Sequence, residues 1–243
     1  SAIIRSIEGK RPLPSVRERE GVCSFFEGTA IVESPEVLTR LVSLFSQREQ
    51  KKIFSLSGSI ERPGVYFLPS NSSLNELLSC GENNIEMLSA KAVLVSSDKP
   101  LLVPFQEFEN FSLDFESFDC RGGRSGVGAF CVIDQGFCML SFVKSILQSS
   151  RAECCGFCPS CRKGLPWGIK IIDRILSGKS RSQDVDLLKD VLNQVKQVSL
   201  CRVSSEAATI GLQAIDQFRE EFDFFVREGE PFFDGGESAE LYS

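Results

Sequence analysis

The spacing of apolar residues changes twice along this 243-residue chain, and the changes divide it. In residues 1–50, Val37, Leu38, Leu41, Val42 and Phe45 recur at helical spacing and predict a helix over Pro35–Ser46. Ser34 is suited to the N-cap and Pro35 to the first helical position. The apolar stretch Ala2–Ile7 and the charged, proline-bearing Arg11–Glu20 show no such period. Residues 1–50 are therefore expected to be a linker and one helix.

From 51 to 136 the apolar runs are short and broken by Gly, Pro, Asn and Ser. Ile53–Ser57 and Gly64–Leu68 flank Glu61-Arg62-Pro63-Gly64, which predicts a hairpin. Asn71-Ser72-Ser73 should cap a short helix, Leu74–Leu78, and Ala92–Val95 and Ala129–Ile133 read as buried strands. The glycine cluster Arg121–Gly128 precedes a strand instead of joining a strand to a helix, so it reads as a turn and not as a dinucleotide loop. A small α+β domain is expected.

Over 137–227 the period becomes helical. One helix is predicted near Cys138–Gln148 and a second through Trp167, Ile169, Ile171, Ile172 and Ile175. Val185, Leu188, Val191, Leu192 and Val195 define the apolar face of a third. A last helix should run through Ala207, Ile210, Ala214, Ile215, Phe218, Phe222 and Phe225. Four such helices make a bundle. Residues 228–243 are acidic, glycine-bearing and without period, and are expected to be disordered.

Charge and composition narrow the partners. A net charge of -6 and a pI near 5.0 supply no basic field for nucleic acid. No apolar run approaches the roughly 20 residues of a membrane span, and residues 1–15 show no leader pattern, so no secretory signal is expected. A cytoplasmic protein, or one at the cytoplasmic face of a membrane complex, is expected. Histidine is absent, which excludes serine-type triads and mixed Cys/His zinc sites.

The ten cysteines are not spread as a disulfide framework would spread them. Cys154, Cys155, Cys158 and Cys161 lie within the single stretch ECCGFCPSCRKG. Two-residue gaps let a tight turn aim Cys155, Cys158 and Cys161 at separate iron corners of one cubane, with a fourth cysteine from elsewhere. Four-cysteine zinc sites more often arrive as two separated pairs, so zinc and chance buried thiols are the alternatives. Cys201, between the third and fourth predicted helices, is the natural fourth ligand; Cys131 and Cys138 look more like small buried residues. A ligand at Cys154 would widen the first gap, and Gly156 favours Cys155 because it allows close backbone approach to the sulfur. Arg162 and Lys163 can offset the anionic charge of a thiolate-bound cluster or stand solvated.

At these residues the chain resembles the C-terminal half of the NADH-binding 51 kDa flavoprotein subunit of respiratory complex I and the related formate dehydrogenase and hydrogenase β subunits. Their motif ESCGxCxPCRxG, with a last cysteine about forty residues later, is similar to ECCGFCPSCRKG with Cys154 for serine, Ser160 for proline, and Cys201 forty residues past Cys161. FSLSGSIERPGVYFLPSNSSLNELL resembles the family's soluble-ligand-binding β-grasp domain, SGVGAFCVIDQGFCML its junction to the helices, and SAIIRSIEGKRPLP its TALIxSLEGxRxxP stretch. The resemblance implies a β-grasp (ubiquitin-like) domain at 51–136, a four-helix bundle with a [4Fe-4S] cluster at 137–227, and residues 1–50 as the remnant of a Rossmann-like domain.

It also implies what should be missing. The family's Asn-Asn-Val-Glu-Thr stretch, which helps hold FMN, is replaced by Ile31-Val-Glu-Ser-Pro-Glu36. Neither FMN nor NAD is expected to bind, and no catalytic residue is assigned. The expected function is single-electron relay through the cluster, between redox subunits of a larger complex. The alternative is a docking module in which cluster or zinc only staples the helices.

Overall fold

In a computed structural model of the chain, residues 6–11, 21–25, 28–32, 38, 41–42, 45, 51–69, 72–82, 89–96, 99–110, 113 and 128–228 are described. The chain divides into two compact units, Ser1–Gln50 with Leu200–Arg202, and Lys51–Ser199 with Val203–Ser243.

The first unit holds an antiparallel hairpin, β1 (Gly21–Phe25) with β2 (Gly28–Val32). The expectation of a linker and one helix omitted it. Of the expected helix over Pro35–Ser46, Leu38, Leu41, Val42 and Phe45 are described; all four are helical and exposed.

The second unit is built on a mixed five-stranded sheet of order β4-β3-β7-β5-β6. β3 (Lys51–Gly58) and β4 (Gly64–Pro69) form the hairpin that the Pro-Gly turn predicts. β7 (Gly128–Asp134) lies parallel to β3 and antiparallel to β5 (Ala90–Ser96). Its central position explains its apolar run. β6 (Leu101–Pro104) closes the far edge and is followed by a 3₁₀ turn, Phe105–Asn110. Neither was expected, since Pro100 and Pro104 leave only three apolar residues between them. Gly58 is required where β3 ends: its φ is +90°, and a Cβ there would stand 2.2 Å from the Val132 carbonyl oxygen. Of the Arg121–Gly128 turn only Gly128 is described; Asn71 and residues 229–243 also lie outside the described set.

Ser73 caps α1 (Leu74–Gly81) in a reciprocal box with Glu76. Leu74, Leu77 and Leu78 pack with Phe54, Leu56, Val93, Val95, Phe130 and Val132 against one side of the sheet. The opposite side offers Ala92, Leu94, Leu102 and Ile133 to a second core shared with the helices that follow.

Those helices are α2 (Met139–Glu153), α3 (Leu165–Leu176), α4 (Asp184–Val198), α5 (Arg202–Gln217) and α6 (Arg219–Glu228). The single last helix expected through Phe225 is thus two, interrupted at Phe218. No Gly or Pro stands there. The contacts just beyond the break explain it: Arg219 pairs with Asp186 of α4 and Asp223, and the Glu221 carboxylate accepts the Met139 amide that opens α2, at 2.8 Å, and Lys91 Nζ of β5, at 3.0 Å. These partners aim α6 independently of α5. Among the described residues no helix is long and apolar enough to cross a membrane.

Candidate metal centre

Two helices and a wide turn position the cysteine motif. α2 ends at Glu153, and Cys154 follows as its C-cap with extended backbone. Gly156 then takes φ +68° in open space, the left-handed conformation that lets the chain reverse within two residues of Cys155. Pro159 enters the next turn with helical backbone, and Ser160–Gly164 form a single π turn closed by the Leu165 amide on the Ser160 carbonyl. Such turns interrupt helices most often at functional positions. Here the turn carries Cys161 inward. Gly164 seats it against α4, since a Cβ at that position would lie 2.4 Å from Val195 Cγ2.

The five cysteines of interest are placed unequally. Cys158 is 2% exposed and Cys161 1%, and both belong to the core shared by the helices and the sheet. Cys154 is half-buried and packs against the same core, whereas Cys155 is exposed. Cys201, half-buried, lies on Leu200–Arg202 between α4 and α5, in the first unit. The second unit therefore brings Cys158 and Cys161 together with Cys154 beside them, and leaves Cys155 on its surface turn. Cys131 and Cys138 are half-buried and pack on the core; Cys138 caps α2, its sulfur accepting the Ser141 amide. Arg162 and Lys163 are exposed.

Hydroxyl groups surround the buried sulfurs. Ser160, itself buried, donates to Cys158 Sγ at 3.6 Å. Ser204, 0% exposed, hydrogen-bonds the Cys161 thiol and lies 2.8 Å from Ser199 Oγ. Ser199 in turn donates to the Val195 carbonyl. Burial pushes the Cys161 thiol up to about 12; the Ser204 hydroxyl opposes that rise, and Cys158 and Cys154 add to it. Without a cation this thiol stays protonated at neutral pH.

That chemistry fits an iron–sulfur cluster. Thiolate ligands must lose their protons, and buried sulfurs without a histidine or carboxylate among them suit a soft, cationic iron centre that supplies the missing charge. Among the described residues no three Cys, Asp or Glu side chains group closely enough for one metal ion. A cubane makes a different demand, because each thiolate meets its own iron and the sulfurs stand apart.

Sequence reasoning singled out the cysteines but not Ser160 or Ser204 as their neighbours. Ser160 had a visible signal as a polar residue inside the motif. Ser204 had none, since its approach to Cys161 depends on where α5 begins.

Residues 141–224 match the family model described as the NADH-ubiquinone oxidoreductase-F iron-sulfur binding region. The resemblance read from the motif is borne out. The chain is 27% identical to the NADH-quinone oxidoreductase F 2 subunit of Rhizobium meliloti (strain 1021), over 94% of this chain and 57% of that protein. It is also 27% identical to the NADP-reducing hydrogenase subunit HndC of Solidesulfovibrio fructosivorans, over 93% and 49%. In fold it resembles a chain of an NAD+-reducing [NiFe]-hydrogenase crystal structure, with a TM-score of 0.78 at 24% identity, covering 94% of this chain and 40% of that one. The chain spans about half the length of the curated relatives it matches. Its likeness to these oxidoreductase and hydrogenase subunits runs through both units and is not confined to the cysteine motif.

Proposed function

We propose that this chain is an electron-transfer subunit. It holds a [4Fe-4S] cluster through Cys155, Cys158, Cys161 and Cys201 and relays single electrons within a larger NADH dehydrogenase-like, formate dehydrogenase-like or hydrogenase-like complex. The observation that carries this reading is the pair of buried thiols, Cys158 just before the π turn and Cys161 on it, inside the segment that matches an iron–sulfur binding region. The cluster, when bound, supplies a one-electron redox centre; the chain makes and breaks no bonds.

The chain's own residues exclude water and hold the thiolates. Leu165 and Val195 are buried beside Cys158 and Cys161 in the same core and keep the sulfurs from solvent. Cys155 is preferred to Cys154 as the first ligand because the left-handed turn at Gly156 leaves its side chain free to swing, whereas Cys154 ends a helix and packs on the core. Cys201 completes the set on the spacing argument.

In this reading 51–136 form a β-grasp domain and 137–227 a four-helix bundle whose last member bends at Phe218, and 228–243 form an acidic tail. Residues 1–50 correspond to the end of the resembling family's Rossmann-like domain, and neither FMN nor NAD binds residues 1–243. The support for the last point is the loss of both asparagines at Ile31–Glu36.

A second reading, a docking module whose cluster only staples the helices, draws on the membership of Cys158 and Cys161 in the core. The two separate on one experiment. After anaerobic reconstitution, the relay reading expects an EPR signal that appears on one-electron reduction and disappears when a redox partner is added. A cluster that stabilises the fold yet exchanges no electrons would leave the docking module.

A further inference from the structure

The serine inside the cysteine motif does more than fill space. Each thiolate at a cluster carries negative charge into a low-dielectric core, and one-electron reduction adds another negative charge to the same site. A hydroxyl that donates to the sulfur stabilises the reduced form more than the oxidised one, so it raises the potential at which the electron is accepted. Ser160 is placed for that role. Its side chain is buried on the π turn, so the hydrogen bond that it donates to Cys158 Sγ, at 3.6 Å, is not diluted by water.

We propose that Ser160 is a positioning residue that donates a hydroxyl hydrogen bond to the Cys158 thiolate and thereby holds the cluster's reduction potential up. Ser160 stands at the motif position where proline, which has no hydroxyl, is the residue of the resembling family. The inference rests on the cluster reading of the previous subsection.

The test uses the full chain, reconstituted anaerobically with iron and sulfide, and an EPR-monitored redox titration of the parent, Ser160→Ala and Ser160→Thr. Ser160→Ala should move the midpoint to a more negative potential with the cluster signal kept, by about threefold in the reduced-to-oxidised ratio at fixed potential, ~30 mV for a one-electron couple. Ser160→Thr, which restores the hydroxyl, should titrate near the parent. A signal from an exchangeable proton coupled to the cluster should be lost with the hydroxyl. An unchanged midpoint in a Ser160→Ala chain that binds the cluster would overturn this inference and leave the cluster reading standing. A parent chain that binds no cluster would overturn both.

Discussion

Asp184 is nearly inaccessible, and burial by itself would raise its carboxyl. The Arg174 guanidinium and the Arg181 amide hydrogen-bond to it strongly enough to bring it below its usual value, and the Arg174 value rises in response. Because the folded form holds the proton more weakly than the unfolded form, the stability this pair gives is full above about pH 4 and lost as pH falls through the lowered value. Asp184→Asn should cost about 2 kcal/mol at pH 7, with Arg174 left half-paired. Urea unfolding of parent and variant should show a gap that is constant near neutrality and closes in acid. At the cysteines, Cys155→Ser should abolish cluster binding while Cys154→Ser spares it, measured as iron per chain after reconstitution. The reverse result would move the first ligand to Cys154. The sequence ranked these two neighbours by spacing, by Gly156 and by the resembling motif, and it carried no mark of Ser204, which folding brings to the site.

Among the elements, the π turn and α6 bear the most on how the site is held. Gly164→Ala should force Val195 aside, a side-chain clash costing roughly 1–3 kcal/mol, and Val195→Ala in the same chain should relieve it. Thermal unfolding of the single and double variants checks both. The link between α6 and the sheet is a buried ion pair, so Glu221→Gln should be worse than replacing both members. The single change leaves the Lys91 charge without its carboxylate and should cost about 3–5 kcal/mol, whereas Lys91→Met with Glu221→Leu should recover most of it. Neither the pair nor the break at Phe218 was legible beforehand. Ala207, Ile210, Ala214, Phe218, Phe222 and Phe225 form one unbroken apolar stripe, and nothing in that stripe records a partner 130 residues away. What was legible had local causes: the 53–57 and 64–68 hairpin from its Pro-Gly turn, α1 from the serines that cap it, and α4 from its apolar face. The β1–β2 hairpin escaped because Gly, Ser and Thr break up its apolar runs, and β6 because Pro100 and Pro104 leave only three apolar residues between them.

At the scale of the whole molecule, the second unit is a mixed sheet that carries α1 on one side and a set of helices on the other, with Cys158 and Cys161 in the helical core. The likeness to NADH-quinone oxidoreductase and hydrogenase subunits runs over nearly the full chain at 27% identity, while only the cysteine motif makes the chemistry explicit. That contrast explains why cofactor class was readable from one short segment and the sheet order was not. Denaturing the purified chain should release no flavin detectable by fluorescence, and released flavin would end the proposal that FMN is absent. The most direct test of the central claim is iron and acid-labile sulfide analysis with EPR on anaerobically purified or reconstituted chain. About four irons and four sulfides per chain, with a paramagnetic signal appearing on one-electron reduction, are the predicted result for the cluster type; stoichiometric zinc with no iron and no signal would contradict it.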